Sequence, residues 1–313
     1  MPEKLVAIGH ITNDVTPKEH LGGGVSYAAV TASRLGMEAH IITKCAPNHP
    51  YIGELDSLGI KVHLLSSALN TITTFHNVYD SKGNRRQRVV EAQEQISGDN
   101  LYSVPNTLLD GAIVLAVPVI NEVSMDLLGK LHSASSINII PQGCFRRIGE
   151  GGVVQQQRWE GFGELIQNAT IVLSEEDITI DGEVDYALLD KIISSALLVA
   201  VTKGPDGVTI YQKGQEPILT GAFPLKEHEI VDYTGAGDVF ATVFISEATR
   251  SGGNLKAAAV AACYFAAIKI MGLNGIGIDS IPTLQQLRDF AETNPERVAS
   301  YLQQEDVNRI SIL

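Results

Sequence analysis

Val231-Asp232-Tyr233-Thr234-Gly235-Ala236-Gly237-Asp238 leads directly into the apolar run Val239-Phe240-Ala241. Gly235, Ala236 and Gly237 leave three successive amides unshielded, and the residues that follow have a helical pattern. The first turn of a helix has unpaired N–H groups and a partial positive charge, so an anion can sit there. A carboxylate inside that same turn, Asp238, is the odd feature. With a phosphoryl group on the amides, Asp238 stands beside it, placed to take a proton from an attacking hydroxyl. Read alone, the same residues also describe an acid that complements a helix dipole next to a tight turn.

Outward from this stretch, short β-branched runs alternate with helix-length segments. Strands are expected at 5–8, 39–43, 62–65, 112–117, 137–140, 171–173 and 198–202. Helices are expected at 26–35, 52–58, 124–132, 159–167, 186–194, 236–249, 255–271 and 284–292. That alternation implies an α/β fold, a mostly parallel sheet with helices on both faces. No repeat, low-complexity tract or Pro- or Ser-rich linker divides the 313 residues, so one domain over 1–313 is expected.

One segment breaks the rhythm. Residues 71–91 alternate in the manner of a hairpin, with Asp80-Ser81-Lys82-Gly83-Asn84 as its turn. It would form a flap beside the sheet, or else a surface hairpin without a role. Phe75, Asn77 and Tyr79 would share one face, and Thr74, His76 and Val78 the other. On the returning strand, Arg86 and Arg88 share a face.

Composition narrows the partners. Against 36 Asp and Glu the chain has 23 Lys and Arg, a net charge of −13, which argues against nonspecific binding to nucleic acid or an anionic membrane. Cys45, Cys144 and Cys263 are sparse and follow no metal-ligand spacing, as expected of reduced thiols in a cytoplasmic protein. The alanine-rich stretch 255–273 contains Lys256 and Lys269, so it reads as a buried helix rather than a membrane span. The N-terminal apolar run is too short for a signal peptide.

A second motif lies early in the chain. Asp14 follows the first strand by a few residues, where loops at the carboxyl ends of parallel strands gather ligands. His10 lies close to it, as a pocket residue or an ordinary polar loop residue. Then comes Leu21-Gly22-Gly23-Gly24-Val25-Ser26-Tyr27-Ala28-Ala29, running on to Arg34-Leu35-Gly36. This is not a dinucleotide fingerprint, and no GxxxxGK[ST] loop occurs in the chain, so an oxidoreductase and a Walker-type reading both lose support.

Together the two motifs, in this order and about 200 residues apart, resemble the ribokinase-like (PfkB-type) carbohydrate kinase family. The resemblance implies a three-layer α/β/α sandwich with a small β lid, here drawn from roughly 10–20 and 68–96. It implies transfer of the ATP γ-phosphoryl group to a hydroxyl. By position, Asp238 then looks like the catalytic base, and Gly235, Ala236 and Gly237 like the anion hole. Asp14 resembles the acceptor-binding aspartate, within a pocket that also takes in Gly22, Gly23, Ser26 and Tyr27. Asp232 and Thr234 match positions that in many relatives help to bind a monovalent cation such as K+.

Further carry-over concerns the nucleotide. Thr202-Lys203-Gly204-Pro205-Asp206-Gly207 resembles the family's nucleotide-contact loop, and alone reads as a strand followed by a turn. Ser174-Glu175-Glu176-Asp177 falls where the family has an Asn-x-x-Glu motif that organises hydrated Mg2+, but with Ser174 and Asp177 at the outer positions. Glu175 and Asp177 are therefore the implied Mg2+ residues, acting through water. Asn274 and Gly275 resemble the loop over adenine, with Ala261, Ala262 and Cys263 as the adenine wall.

The acceptor is approached through Tyr27, where many sugar kinases carry Asn. An aromatic face suits stacking on a ring. The stretch 22–27 and Pro141-Gln142-Gly143-Cys144-Phe145-Arg146-Arg147 are similar to the inositol kinase branch, with Gln142 and Arg146 as polyol contacts or as a polar loop at the sheet's edge. A cyclitol such as myo-inositol is favoured, with a sugar or nucleoside second. A non-catalytic sensor of nucleotide or polyol is the reading from another class. Relatives often pair lid to lid, so the resemblance allows a homodimer.

Overall fold

The computed structural model describes residues 3–16, 18–79, 85–131, 136–308 and 310–313. The turn expected at 80–84, His132, and the side chains of Val78, Tyr79 and Arg86 lie outside that description.

A nine-stranded sheet forms the centre of the molecule, with Lys4–Ile8 between Ile113–Ala116 and Glu38–Thr43. All strands from Leu198–Thr202 across to Lys61–Leu64 run parallel. Val208–Gln212 and Ile218–Thr220 extend one edge in the antiparallel sense. Apolar side chains on both faces of the central strands explain their near-continuous Val, Ile, Leu and Ala runs. Leu5 and Ala7 belong to one core, Val6 and Ile8 to the other. The fold is thus an α/β/α sandwich with a mostly parallel sheet, accompanied by a small β lid.

The first core is built on three helices. Ala236–Arg250 packs against both Gly24–Arg34 and Leu255–Ile270. Alanines 28, 29 and 32 in one helix and 258, 259, 261 and 262 in another are buried, and their small side chains let the helices approach closely. None of the helices among the described residues is long and apolar enough to cross a membrane.

The lid is a four-stranded sheet in the order Lys18–Gly22, Thr12–Thr16, Thr73–Tyr79, Arg85–Glu91. Phe75 and Val89 bury themselves against Val119 and Ile120 and fasten it to the sandwich. His10 is completely buried rather than a pocket residue. Its Nε2 meets the Glu94 carbonyl at 3.0 Å and its Nδ1 meets Thr73 Oγ1 at 2.9 Å, tying the first strand to the lid base.

The helix expected at 159–167 is absent. Trp159 and Phe162 are drawn into the core beside Phe145, Gly161 has a left-handed φ of 72°, and only Gly163–Ile166 turns, as a 3-10 helix. The aromatic anchors outweigh the helical spacing of that segment.

Candidate active site

The strands flanking Lys4–Ile8 are reached by opposite turns of the chain, and at such a switch point a crevice opens beyond the carboxyl ends of the strands. A cavity of about 550 Å3 lies there. Thr12 and Asp14 form one wall, Phe75 and Gln87 of the lid another, Gln142, Arg146 and Glu176 a third. Gly235 and Asp238 complete it from the helix side.

Gly235 caps the helix Ala236–Arg250 in the left-handed region, φ 75° and ψ 4°, which glycine adopts without a Cβ penalty. Tyr27 packs against it so closely that a Cβ at Gly235 would stand 2.2 Å from the ring. The expected anion hole is corrected in one member. The Ala236 N–H is already donated to the Tyr233 carbonyl at 3.1 Å. The amides of Gly235, Gly237 and Asp238 have no acceptor among the described residues, so they form the open cradle.

Asp238 sits in that first turn, and burial, then the nearby charge of Asp177, push its carboxyl up to about 7. Arg146 and Lys269 act in the opposite direction. Its surface is not wholly closed, because it lines the cavity, but protein surrounds it on all other sides. Gly24 makes the close approach feasible: a Cβ there would lie 2.8 Å from Asp238 Oδ1 and 2.3 Å from Val117 Cγ1.

Asp14 is buried and accepts from Thr12 Oγ1 at 2.8 Å. Gly22 lies against it, since a Cβ there would be 2.5 Å from the Asp14 carboxyl carbon. Gly23 lines the cavity, whereas Ser26 is fully buried and donates to the Gly22 carbonyl at 2.7 Å. Ser26 therefore shapes the start of the helix rather than touching a ligand. Tyr27 borders the cavity but is only 2% exposed, with its ring given over to Gly235, so it does not offer the broad stacking face expected of it.

Gln142 and Arg146 both reach the cavity wall from the turn Pro141–Phe145 and the strand after it. Phe75 also faces the cavity, and Asn77 borders the adjoining cleft beside Asp14. Arg88 points away and donates through Nε to the Gly151 carbonyl at 3.0 Å.

The acidic stretch after Ala169–Ser174 divides its labour. Ser174 caps a short 3-10 turn, and Asp177 accepts the Ser174 amide at 3.0 Å and bonds the Gln142 side chain. Burial raises the Asp177 carboxyl above the usual range. Half-buried, it stands close enough to Asp238 to raise the pKa of that carboxyl. Glu176 lines the cavity instead, and Glu175 faces Lys203 at 3.7 Å. Mg2+ keeps most of its waters and needs one or two carboxylates, so a nucleotide-borne Mg2+ fits Glu175 and Glu176. No group of three or more His, Cys, Asp or Glu suited to a metal ion occurs among the described residues.

The remaining expected nucleotide residues lie outside the cavity. Thr202 ends the strand next to Ala169–Ser174, and Lys203 and Gly204 follow it. Gly207 is required by packing: a Cβ would fall 2.0 Å from the Thr220 carbonyl oxygen. Asn274 accepts from Gln286 at 2.6 Å, and Gly275 lies beside Asp279. Ala261, Ala262 and Cys263 are buried in the core, so they make no adenine wall.

Asp232 accepts hydrogen bonds on both carboxylate oxygens. Its Oδ1 accepts from the Thr234 amide at 2.9 Å, its Oδ2 from the Gly277 amide at 2.8 Å and from Lys269 Nζ at 3.1 Å. Sequence reasoning missed Lys269, Glu176, Gln87 and Gly24 as site residues. A lysine near the end of a mostly apolar helix was the available signal for the first.

Residues 173–281 match the pfkB family carbohydrate kinase profile. A cytidine kinase of Thermococcus kodakarensis is 26% identical over 259 residues, 79% of this chain and 88% of its own. Among solved structures, a pyrophosphate-dependent kinase in the ribokinase family, complexed with a pyrophosphate analog and myo-inositol, superposes with a TM-score of 0.71. It is 20% identical and covers 88% of this chain and 98% of its own. Arabidopsis thaliana ribokinase, complexed with ribose and ATP, gives a TM-score of 0.67 at 16% identity, covering 92% and 98%.

Proposed function

We propose that this chain, whose residues 173–281 match the pfkB family carbohydrate kinase profile, transfers the γ-phosphoryl group of ATP to a hydroxyl of a cyclitol or sugar, with a myo-inositol-like ring favoured. The observation that carries the reading is the pairing of an open amide cradle with the half-buried Asp238 carboxylate, both at one end of a polar cavity. Phosphoryl transfer needs positioning and charge stabilisation more than covalent help. ATP bound with Mg2+ supplies the phosphoryl group and neutralises part of its charge.

The chain's own residues do the rest. Asp14 and Thr12 hold acceptor hydroxyls from one side, Gln142 and Arg146 from the other. Asp238 takes the proton of the hydroxyl that attacks phosphorus, while the N–H groups of Gly235, Gly237 and Asp238 receive the negative charge on the phosphoryl oxygens. The cavity offers polar groups on opposing walls, which suits a ring that bears hydroxyls all round, and the inositol-bound neighbour supports that class. A nucleoside is the second reading, favoured by the cytidine kinase relative and by Phe75 and Tyr233 as faces for a base.

An acceptor panel separates them. With ATP as donor, myo-inositol and related cyclitols are expected to exceed cytidine and ribose in kcat/KM by at least about 100-fold, as for a site built to pair with particular hydroxyls. A preference for cytidine would transfer the assignment to the nucleoside reading. Ligand binding without transfer to any acceptor would favour a sensor.

A further inference from the structure

We propose that the Lys269 side chain is a built-in cation for the anion cradle, so that Asp232 and Thr234 hold no monovalent metal ion. The inference rests on the kinase reading for its purpose, though not for its geometry. Lys269 lies in the last turn of Leu255–Ile270 and its side chain is 0% exposed. Its Nζ donates to two atoms of one residue, the Asp232 carbonyl at 3.0 Å and Asp232 Oδ2 at 3.1 Å. The ring of Tyr27 lies 5.8 Å from the same ammonium.

A carbonyl and a carboxylate oxygen from one residue are the oxygen donors a K+ ion would need, and the ammonium already occupies them. The other bonds to that carboxylate come from the Thr234 and Gly277 amides, so three donors already share its two oxygens. A second cation beside Asp232 would face the fixed positive charge of Lys269, itself 0% exposed, and like charges a few ångströms apart repel. The residues present therefore do not fit a monovalent metal.

The placement also explains what the lysine does. Asp232 stands three residues before Gly235, and the amides of Val231 and Asp232 are bonded to the Ile270 carbonyl at the end of the helix that carries Lys269. Tyr27, beneath the ammonium, is the residue that packs against Gly235. Lys269 thus fastens the loop whose amides form the cradle, and acts as a positioning residue. Lysine suits the task as a compact charge with several donors on one atom.

Thallium(I), a heavy stand-in for K+, tests this by anomalous diffraction. Wild-type crystals soaked in thallium acetate are expected to show no thallium beside Asp232, and Lys269→Ala crystals to show it there. Thallium bound beside Asp232 in the wild type, with Lys269 displaced, would overturn the proposal. This arm reads without turnover, so it fails or succeeds separately from the kinase reading. In solution, replacing K+ by tetramethylammonium at equal ionic strength should leave the wild-type rate within about twofold, whereas Lys269→Ala should lose roughly 10²-fold. K+ or ammonium should recover part of that loss in Lys269→Ala but not in Lys269→Met. A wild-type rate that rises tenfold with K+ would contradict the proposal, and this measurement stands even where the alanine variant does not fold.

Discussion

Asp238→Asn is expected to fold normally and to lose turnover by about 10²–10⁴-fold, because the acceptor proton then has no base to receive it. The same change should make the protein more stable. The folded-state carboxyl is raised from 3.8 to about 7, chiefly by burial. The folded chain therefore binds this proton more tightly than the unfolded chain. Stability contributed by Asp238 is greatest below the unfolded value and declines as pH rises through the interval up to about 7. Above it the ionised group costs the fold at most about 4 kcal/mol. Asn removes that cost, so its gain in Tm over wild type should be larger at pH 8 than at pH 5. Wild-type kcat/KM should fall about tenfold per pH unit below its limb near 7, as the base becomes protonated. Equal turnover in the variant, or a stability gain independent of pH, would remove Asp238 from its role.

Gly235→Ala carries the second large effect. The residue holds φ at 75°, and its missing side chain accommodates the Tyr27 ring at 2.2 Å from where a Cβ would stand. A left-handed alanine costs about 1 kcal/mol and the overlap about 1–3 kcal/mol more, because both the ring and the helix cap are enclosed. The loop should shift to relieve the overlap and turn the Gly237 and Asp238 amides away from their target. A kcat loss of roughly 10²–10³-fold is expected, along with a lower urea midpoint. The neighbouring Ala236→Gly is the control. The Ala236 amide is committed to the Tyr233 carbonyl, so its loss of a methyl group should leave kcat largely unchanged. Full activity in Gly235→Ala would show that these amides do not hold charge.

Much of the fold was legible because one-dimensional signals suffice for it. Parallel strands buried on both faces read as apolar runs, and the hairpin at Thr73–Tyr79 and Arg85–Glu91 announced itself through alternation and a polar turn. The antiparallel edge at Val208–Gln212 and Ile218–Thr220 was harder: the second strand has only three residues, and the first is buried over just three of five. The segment around Trp159 had helical spacing, yet two aromatic anchors and Gly161 prevailed.

Within the site, motif position located Asp14, Gly235 and Asp238, but hydrogen-bond accounting is three-dimensional. Nothing in the stretch 231–238 shows that the Ala236 amide is spent while that of Asp238 is open. Tyr27 was legible as an aromatic beside the cavity, but its packing on Gly235 arises between residues some 200 positions apart. That Asp177 closes the capping box with Ser174 and lies near Asp238 is likewise visible only in three dimensions. Lys269 was visible as a charge in an apolar helix, whose partner Asp232 only the fold reveals.

The most direct test of the account is a crystal structure with ADP, Mg2+, aluminium fluoride and a bound acceptor. The account predicts the planar fluoride within hydrogen-bond reach of the Gly235, Gly237 and Asp238 amides, with an acceptor hydroxyl between it and the Asp238 carboxylate. Fluoride bound away from those amides, or an acceptor whose hydroxyl does not meet Asp238, would contradict it.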